Sequence, residues 1–277
     1  MYGRQAYVGL SGGFGTAVGG RLYTPYYTFM LQMDPFANGT VGAYSNAWRV
    51  GAATPTASAL TGLLDPQRVD NAAAYISPSF GGFTVTGAFS NNATGQENAS
   101  SNAGNNTVYA ILGKYDNGPL TVGVNYHYIA AGSNLGLDNV QNATLGGSFD
   151  FKVAKVMALY SWNELDFQAI NSKTVTVNNY MLGVTDPFGK FTGKASYIYS
   201  DGNTTAGGDA QQFALGLDYN LSKRTALYSA YSFIDNQDNR LSAVGDASNS
   251  GAFGATNGVS LPGVFQQGVQ VGVRHMF

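Results

Sequence analysis

The stretch GLSGGFG at residues 9–15 is where the chain most resembles a catalytic site. Gly9-Leu10-Ser11-Gly12-Gly13 fits G-x-S-x-G, the nucleophile elbow of serine hydrolases. Gly13, Gly15, Gly19 and Gly20 loosely resemble a phosphate-binding loop. An elbow needs a strand-to-helix turn with His and Asp partners. A dinucleotide cradle needs a following helix and an acidic residue about 20 positions on. Here the glycines separate YVGLS from TAVGGRLY, two short strand-like runs, and the histidines are His127, in mid-strand, and His275, beside the C-terminus. Ser11 reads as part of a hairpin turn. The Asx-rich loops lack the spaced acidic set of an EF-hand, and the absence of cysteine removes disulfides and thiolate chemistry. No metal or cofactor is implied.

The remaining polar groups matter only through the elements that carry them. Charged residues make up 11% of the 277, against about 25% in an ordinary soluble domain. Gly reaches 37, and Tyr and Phe contribute 18 and 16. No run is long and apolar enough for a membrane-spanning helix, and no basic n-region with an apolar run marks a signal peptide. A net charge of −2 offers no basic patch for nucleic acid. Few charges, many aromatics and no long apolar run fit a transmembrane β-barrel, apolar outside and polar inside.

Periodicity agrees. In 211–221, Phe213, Leu215, Leu217, Tyr219 and Leu221 alternate with Gln212, Ala214, Gly216, Asp218 and Asn220. Residues 120–128 and 142–151 alternate likewise. About thirteen such segments predict strands over 4–11, 16–23, 68–77, 83–90, 107–115, 120–130, 140–151, 155–165, 174–186, 191–201, 211–221, 225–235 and 264–277. Tight turns such as YDNGP, DPFGK and LSKR alternate with long polar loops such as 91–106 and 236–263. Short turns on one side and long loops on the other suit an outer-membrane barrel. Tyr115, Tyr126, Tyr128, Phe151, Tyr197, Tyr199 and Tyr219 read as interfacial girdles. The expected fold is all-β: one transmembrane antiparallel barrel over 1–277.

GRQAYVGLSGGFGT at 3–16, GGRLYTPYY at 19–27, DPF at 34–36, RVDNAAAYISPSFGGF at 68–83, LSKRTALYSAYS at 221–232 and the terminal GVRHMF resemble the general diffusion porins of Gram-negative bacteria, particularly the β-proteobacterial ones. The resemblance spans the chain in order. It implies sixteen strands, of which thirteen are read here, and hence a chain lacking its N-terminal strands. It also implies an inward-folded constriction loop over 24–67, a homotrimer in the full-length protein, and contact with the lipid bilayer and lipopolysaccharide. Phe277 becomes the terminal aromatic read by the barrel-assembly machinery.

Porins do no covalent chemistry; pore width and lumen charge set their selectivity. Alternation assigns the lumen charges. Arg21 is out of phase with Val18 and Leu22, hence luminal, and by resemblance one rung of an arginine ladder. Lys114, His127, Asp150, Lys194, Asp218 and Arg274 fall inside on the same argument, and Arg68 shares a face with Asp70 at the end of the loop. The loop itself offers Asp34, Arg49 and Asp65. Arg21, Arg68, Lys114, Lys194 and Arg274 against Asp70, Asp150 and Asp218 leave a slight positive excess. The expected function is a water-filled outer-membrane channel for passive diffusion of small hydrophilic solutes and ions, with weak anion preference. The rivals are an outer-membrane barrel enzyme and a soluble β-sandwich or adhesin.

Overall fold

A computed structural model describes residues 4–49, 65–93, 106–130, 137–167, 174–203, 207–245 and 262–276. Among these, thirteen strands form one sheet: β1 (Ala6–Gly12), β2 (Gly15–Tyr23), β3 (Arg68–Ile76), β4 (Phe83–Ser90), β5 (Thr107–Asn117), β6 (Leu120–Ala130), β7 (Leu137–Asp150), β8 (Lys155–Phe167), β9 (Thr174–Phe188), β10 (Phe191–Gly202), β11 (Ala210–Asn220), β12 (Thr225–Asn236) and β13 (Gln266–His275). Their spatial order is their chain order, and every pairing is antiparallel. Among the described residues β1 pairs only with β2, and β13 only with β12. The boundaries match the alternating segments closely because period-two patterning and turn chemistry dictate them locally.

Two faces follow from the pleat. One carries exposed Ile111, Val124, Leu145, Leu182, Phe213, Leu215, Leu217 and Val271. The other carries Asn125, Asn142, Thr144, Ser161, Asn179, Ser196, Ser200 and Gln212, all buried. In water that arrangement is inverted; in a bilayer it is the barrel arrangement, apolar outward and polar inward. Tight turns at the short-loop end rest on glycine where the backbone goes left-handed, as at Gly118 (φ 56°) and Gly189 (φ 61°). The opening hairpin belongs to the same end: Ser11 and Thr16 face each other across it with their hydroxyls 2.8 Å apart. No helix follows it; β2 does.

The segment after β2 covers the inward face. Helix α1 (Pro25–Met33) touches β4 to β8, and the short α2 (Ser45–Trp48) touches β10 and β11. Among the described residues no helix is long and apolar enough to cross a membrane.

Candidate functional site

The inner segment begins where Thr24 caps α1, its hydroxyl oxygen accepting from Tyr27 N at 3.0 Å, with Pro25 in the first turn. Thr24 also ties the segment's two ends: its N–H donates to Gln67 O and its hydroxyl to Pro66 O. Tyr26, Phe29, Met30 and Met33 then pack with Tyr44, Ala47 and Trp48 against wall residues Leu112, Leu159, Met181 and Ile198.

Wall glycines make room for this packing. A Cβ at Gly123 would sit 2.6 Å from the Phe29 ring, at Gly183 2.7 Å from Pro35, and at Gly216 2.7 Å from Phe36. Inward-pointing amides complete the seat. Asn179 Nδ2 donates to Trp48 O at 3.1 Å, and Gln212 Nε2 to Gly42 O and Ala43 O, both at 3.1 Å. Val41 N donates to Gln270 Oε1 at 3.0 Å.

Asp34 organises the turn after α1. Its Oδ1 accepts from Phe36 N (2.9 Å), and its Oδ2 from Asn38 N (2.8 Å) and Tyr44 N (3.2 Å). Burial pushes its carboxyl up to about 6, although the three N–H donors and the charge of Lys194 pull the other way. Arg49 Nε and Nη2 donate to Asp65 Oδ2 at 2.8 and 2.6 Å, and Tyr44 donates its hydroxyl proton to Asp65 Oδ1 at 2.7 Å. Asp34 and Asp65 are 4% and 1% exposed. From sequence, Asp34, Arg49 and Asp65 are charges facing the pore. In the structure they are buried fastenings of the segment, because its backbone donors and this arginine consume both carboxylates.

Lys194, Asp218 and Arg274 converge from β10, β11 and β13. Asp218 accepts from Lys194 Nζ at 2.8 Å and from Arg274 Nη2 at 2.6 Å, so two cations share one carboxylate. Lys114 lies 2.8 Å from Asp116 and donates to Gln32 Oε1 of α1 at 3.4 Å. Alternation also puts Lys155 on the inward face, directly opposite Asp150. His127 faces inward but is sealed: it is 0% exposed, edge-to-face with Tyr26 at 5.2 Å.

One assignment changes. Arg21 pairs with Ala6 and shares the phase of Ala17 and Gly19. Val18 and Leu22, which set its expected phase, lie on the inward side, packed with Val69, Ala72, Val108 and Ile129. The register thus gives Arg21 the face opposite to the luminal one expected. It stands at a β-bulge between Gly20 and Leu22, paired with Asp70 of β3. Arg68 does not pair with Asp70; its guanidinium lies 5.5 Å over the Tyr23 ring. Phe277 lies outside the described residues.

Sequence reasoning passes over Asn179, Gln212, Gln270 and Arg240. The first three sit in the polar phase of their strands, so alternation holds a signal for them. Arg240, in a long loop, gives none.

The Gram-negative porin family matches residues 1–239. Outer membrane porin protein 32 of Delftia acidovorans is 31% identical over 281 residues, covering 99% of this chain and 74% of that protein. An outer membrane porin protein of Bordetella pertussis is 28% identical over 284 residues, covering 88% of this chain and 71% of that one. Among solved structures, the anion-selective porin from Comamonas acidovorans superposes with a TM-score of 0.77 at 26% identity, covering 99% of this chain and 78% of its own.

Proposed function

The chain belongs to the Gram-negative porins and is an outer-membrane channel protein; from that premise we propose that it passes small hydrophilic solutes with a weak preference for anions. The observation that carries the preference is the placement of charge. Lys114, Lys155, Lys194 and Arg274 face inward against Asp116, Asp150 and Asp218, leaving one positive charge in excess. Asp65 is cancelled by Arg49, and the charge of Asp34 is offset by the buried Arg240, so the acids of the inner segment leave that excess unchanged. Charge in a water-filled passage with low-dielectric walls acts over its whole width. The likeness to an anion-selective porin supports the same sign.

The segment 24–67 is the proposed constriction, with α1 narrowing the barrel against β4 to β8 and α2 against β10 and β11; its residues 50–64 lie outside those described. The full-length protein is further proposed to be a homotrimer that borders lipopolysaccharide, with Phe277 read by the barrel-assembly machinery and no catalysis at Ser11. Planar-bilayer recording of the refolded chain across a KCl gradient tests the central claim. Conductance steps with a reversal potential on the anion side support it; a cation-side potential refutes it.

A further inference from the structure

A second segment also turns inward. After β12, Asn236 holds the returning chain: its Nδ2 donates to Ser242 O at 2.8 Å and Val264 O at 2.9 Å, and its Oδ1 accepts from Ser242 N at 2.9 Å. Val244 is thereby seated with Phe36 and Val41 of the inner segment and with Ala214, Ala230 and Ile234 of the wall. Gly245 N donates to Asn46 Oδ1 at 3.2 Å. Between the two segments lies Arg240, 0% exposed.

Its guanidinium reaches several elements at once. Nη2 donates to Ala47 O (3.1 Å) and Arg49 O (3.4 Å) of the inner segment, and to Ser200 Oγ (2.6 Å) of β10. Nη1 donates to Gly208 O (3.3 Å) in the β10–β11 connection, and Nε to Ser242 Oγ (3.1 Å). Among the described residues no carboxylate lies within ion-pair distance. Burial pushes its pKa down to about 10, with Asp209 the charge that opposes the shift. A guanidinium still carries its proton at that value, so the charge is retained in a site that solvates it only with backbone carbonyls and hydroxyls. A buried charge is tolerated only where hydrogen bonds replace its water, and the planar fork of arginine meets divergent acceptors that lysine cannot span.

We propose that Arg240 is a clasp that fastens the α2 part of the inner segment to β10 and to the 237–245 segment, so that the aperture between segment and wall is fixed rather than fluctuating. Arg240 acts through the segment it holds and is a positioning residue. The proposal rests on the channel reading above, and its test separates the two.

The full chain and its Arg240→Met, Arg240→Lys and Ser200→Ala variants are refolded and recorded singly in planar bilayers at matched voltage. The wild-type chain must conduct; if it does not, the channel reading fails before the clasp is addressed. Arg240→Met removes every hydrogen bond that the guanidinium donates. The ratio of undocked to docked segment is then expected to rise by about two orders of magnitude. The readout is larger open-channel current noise and closure at lower voltage. Arg240→Lys falls between, and Ser200→Ala, which removes one acceptor and leaves the wall intact, shows a smaller change of the same kind. Trp48 emission, one residue from the Ala47 and Arg49 acceptors, red-shifts in step with the noise, while heat-modified gel migration shows the barrel unchanged. Quiet, wild-type-like openings in both Arg240→Met and Ser200→Ala overturn the proposal. If Arg240→Met does not fold, Ser200→Ala alone decides it.

Discussion

Asp34→Ala tests most directly whether one carboxylate shapes the inner segment. The substitution strands the N–H groups of Phe36, Asn38 and Tyr44 in a site where Asp34 is 4% exposed. An orphaned buried donor costs about 1–3 kcal/mol, so the seat should weaken by roughly 3–9 kcal/mol before any relaxation. An opposing term has a definite sign. Burial raises the Asp34 carboxyl from 3.8 to about 6, so its contribution is fully present below 3.8 and is lost as pH rises through 6. Acidifying from pH 7.5 to 4.5 should therefore strengthen the wild-type seat by about 2 kcal/mol, and leave the alanine variant without that gain.

The protein supplies its own probe. Its tryptophans are Trp48, fully buried in α2, and Trp162. In a Trp162→Phe background, Trp48 emission followed against urea reports unseating of the segment. The difference between the chains with and without Asp34→Ala removes titrations common to both. Equal midpoints at both pH values would refute the reasoning. So would a gap between the two proteins that narrows on acidification.

Asp218→Asn leaves Lys194 and Arg274 without their shared carboxylate, and a reversal potential moved further toward anions is the expected result. Gly123→Val drives side-chain atoms into the Phe29 ring, whose nearest atom would lie 2.6 Å from a Cβ. Overpacking of about 1–3 kcal/mol should unseat α1 and raise conductance or noise, with strand content by circular dichroism unchanged. Arg49→Met leaves Asp65, 1% exposed, without its cation. A loss of about 3–5 kcal/mol in the Trp48 transition is expected, whereas Asp65→Asn combined with Arg49→Met should recover most of it. Ser11→Ala, at a hairpin whose side chains are exposed, should change neither conductance nor emission.

The strands, their order and the two ends of the barrel are legible in the residues alone. Alternation fixes which residues share a face, and turn residues fix where strands stop, both over a few positions. Thr24-Pro25 at the start of α1 is a local signal of the same kind. Lys114, Lys194, Asp218 and Arg274 read as luminal because the stretches around them are polar on one side and apolar on the other.

Alternation gives the phase of a strand but not which phase faces in. At β2 and β3 the usual guide fails: Leu22 and Val69 are apolar yet buried on the inner side, in one cluster with Val108 of β5 and Ile129 of β6. Arg21, placed by contrast with Val18 and Leu22, goes to the wrong face for that reason, and a bulge opposite Asp70 sets its partner. Asp34 and Asp65 look from sequence like free loop acids, and Arg240 like an ordinary loop cation. Each becomes buried only because stretches far apart in the chain close over the same interior, as Arg240 and Ala47 do. That enclosure depends on the curvature of the whole sheet around the segment, a property no short stretch of sequence contains.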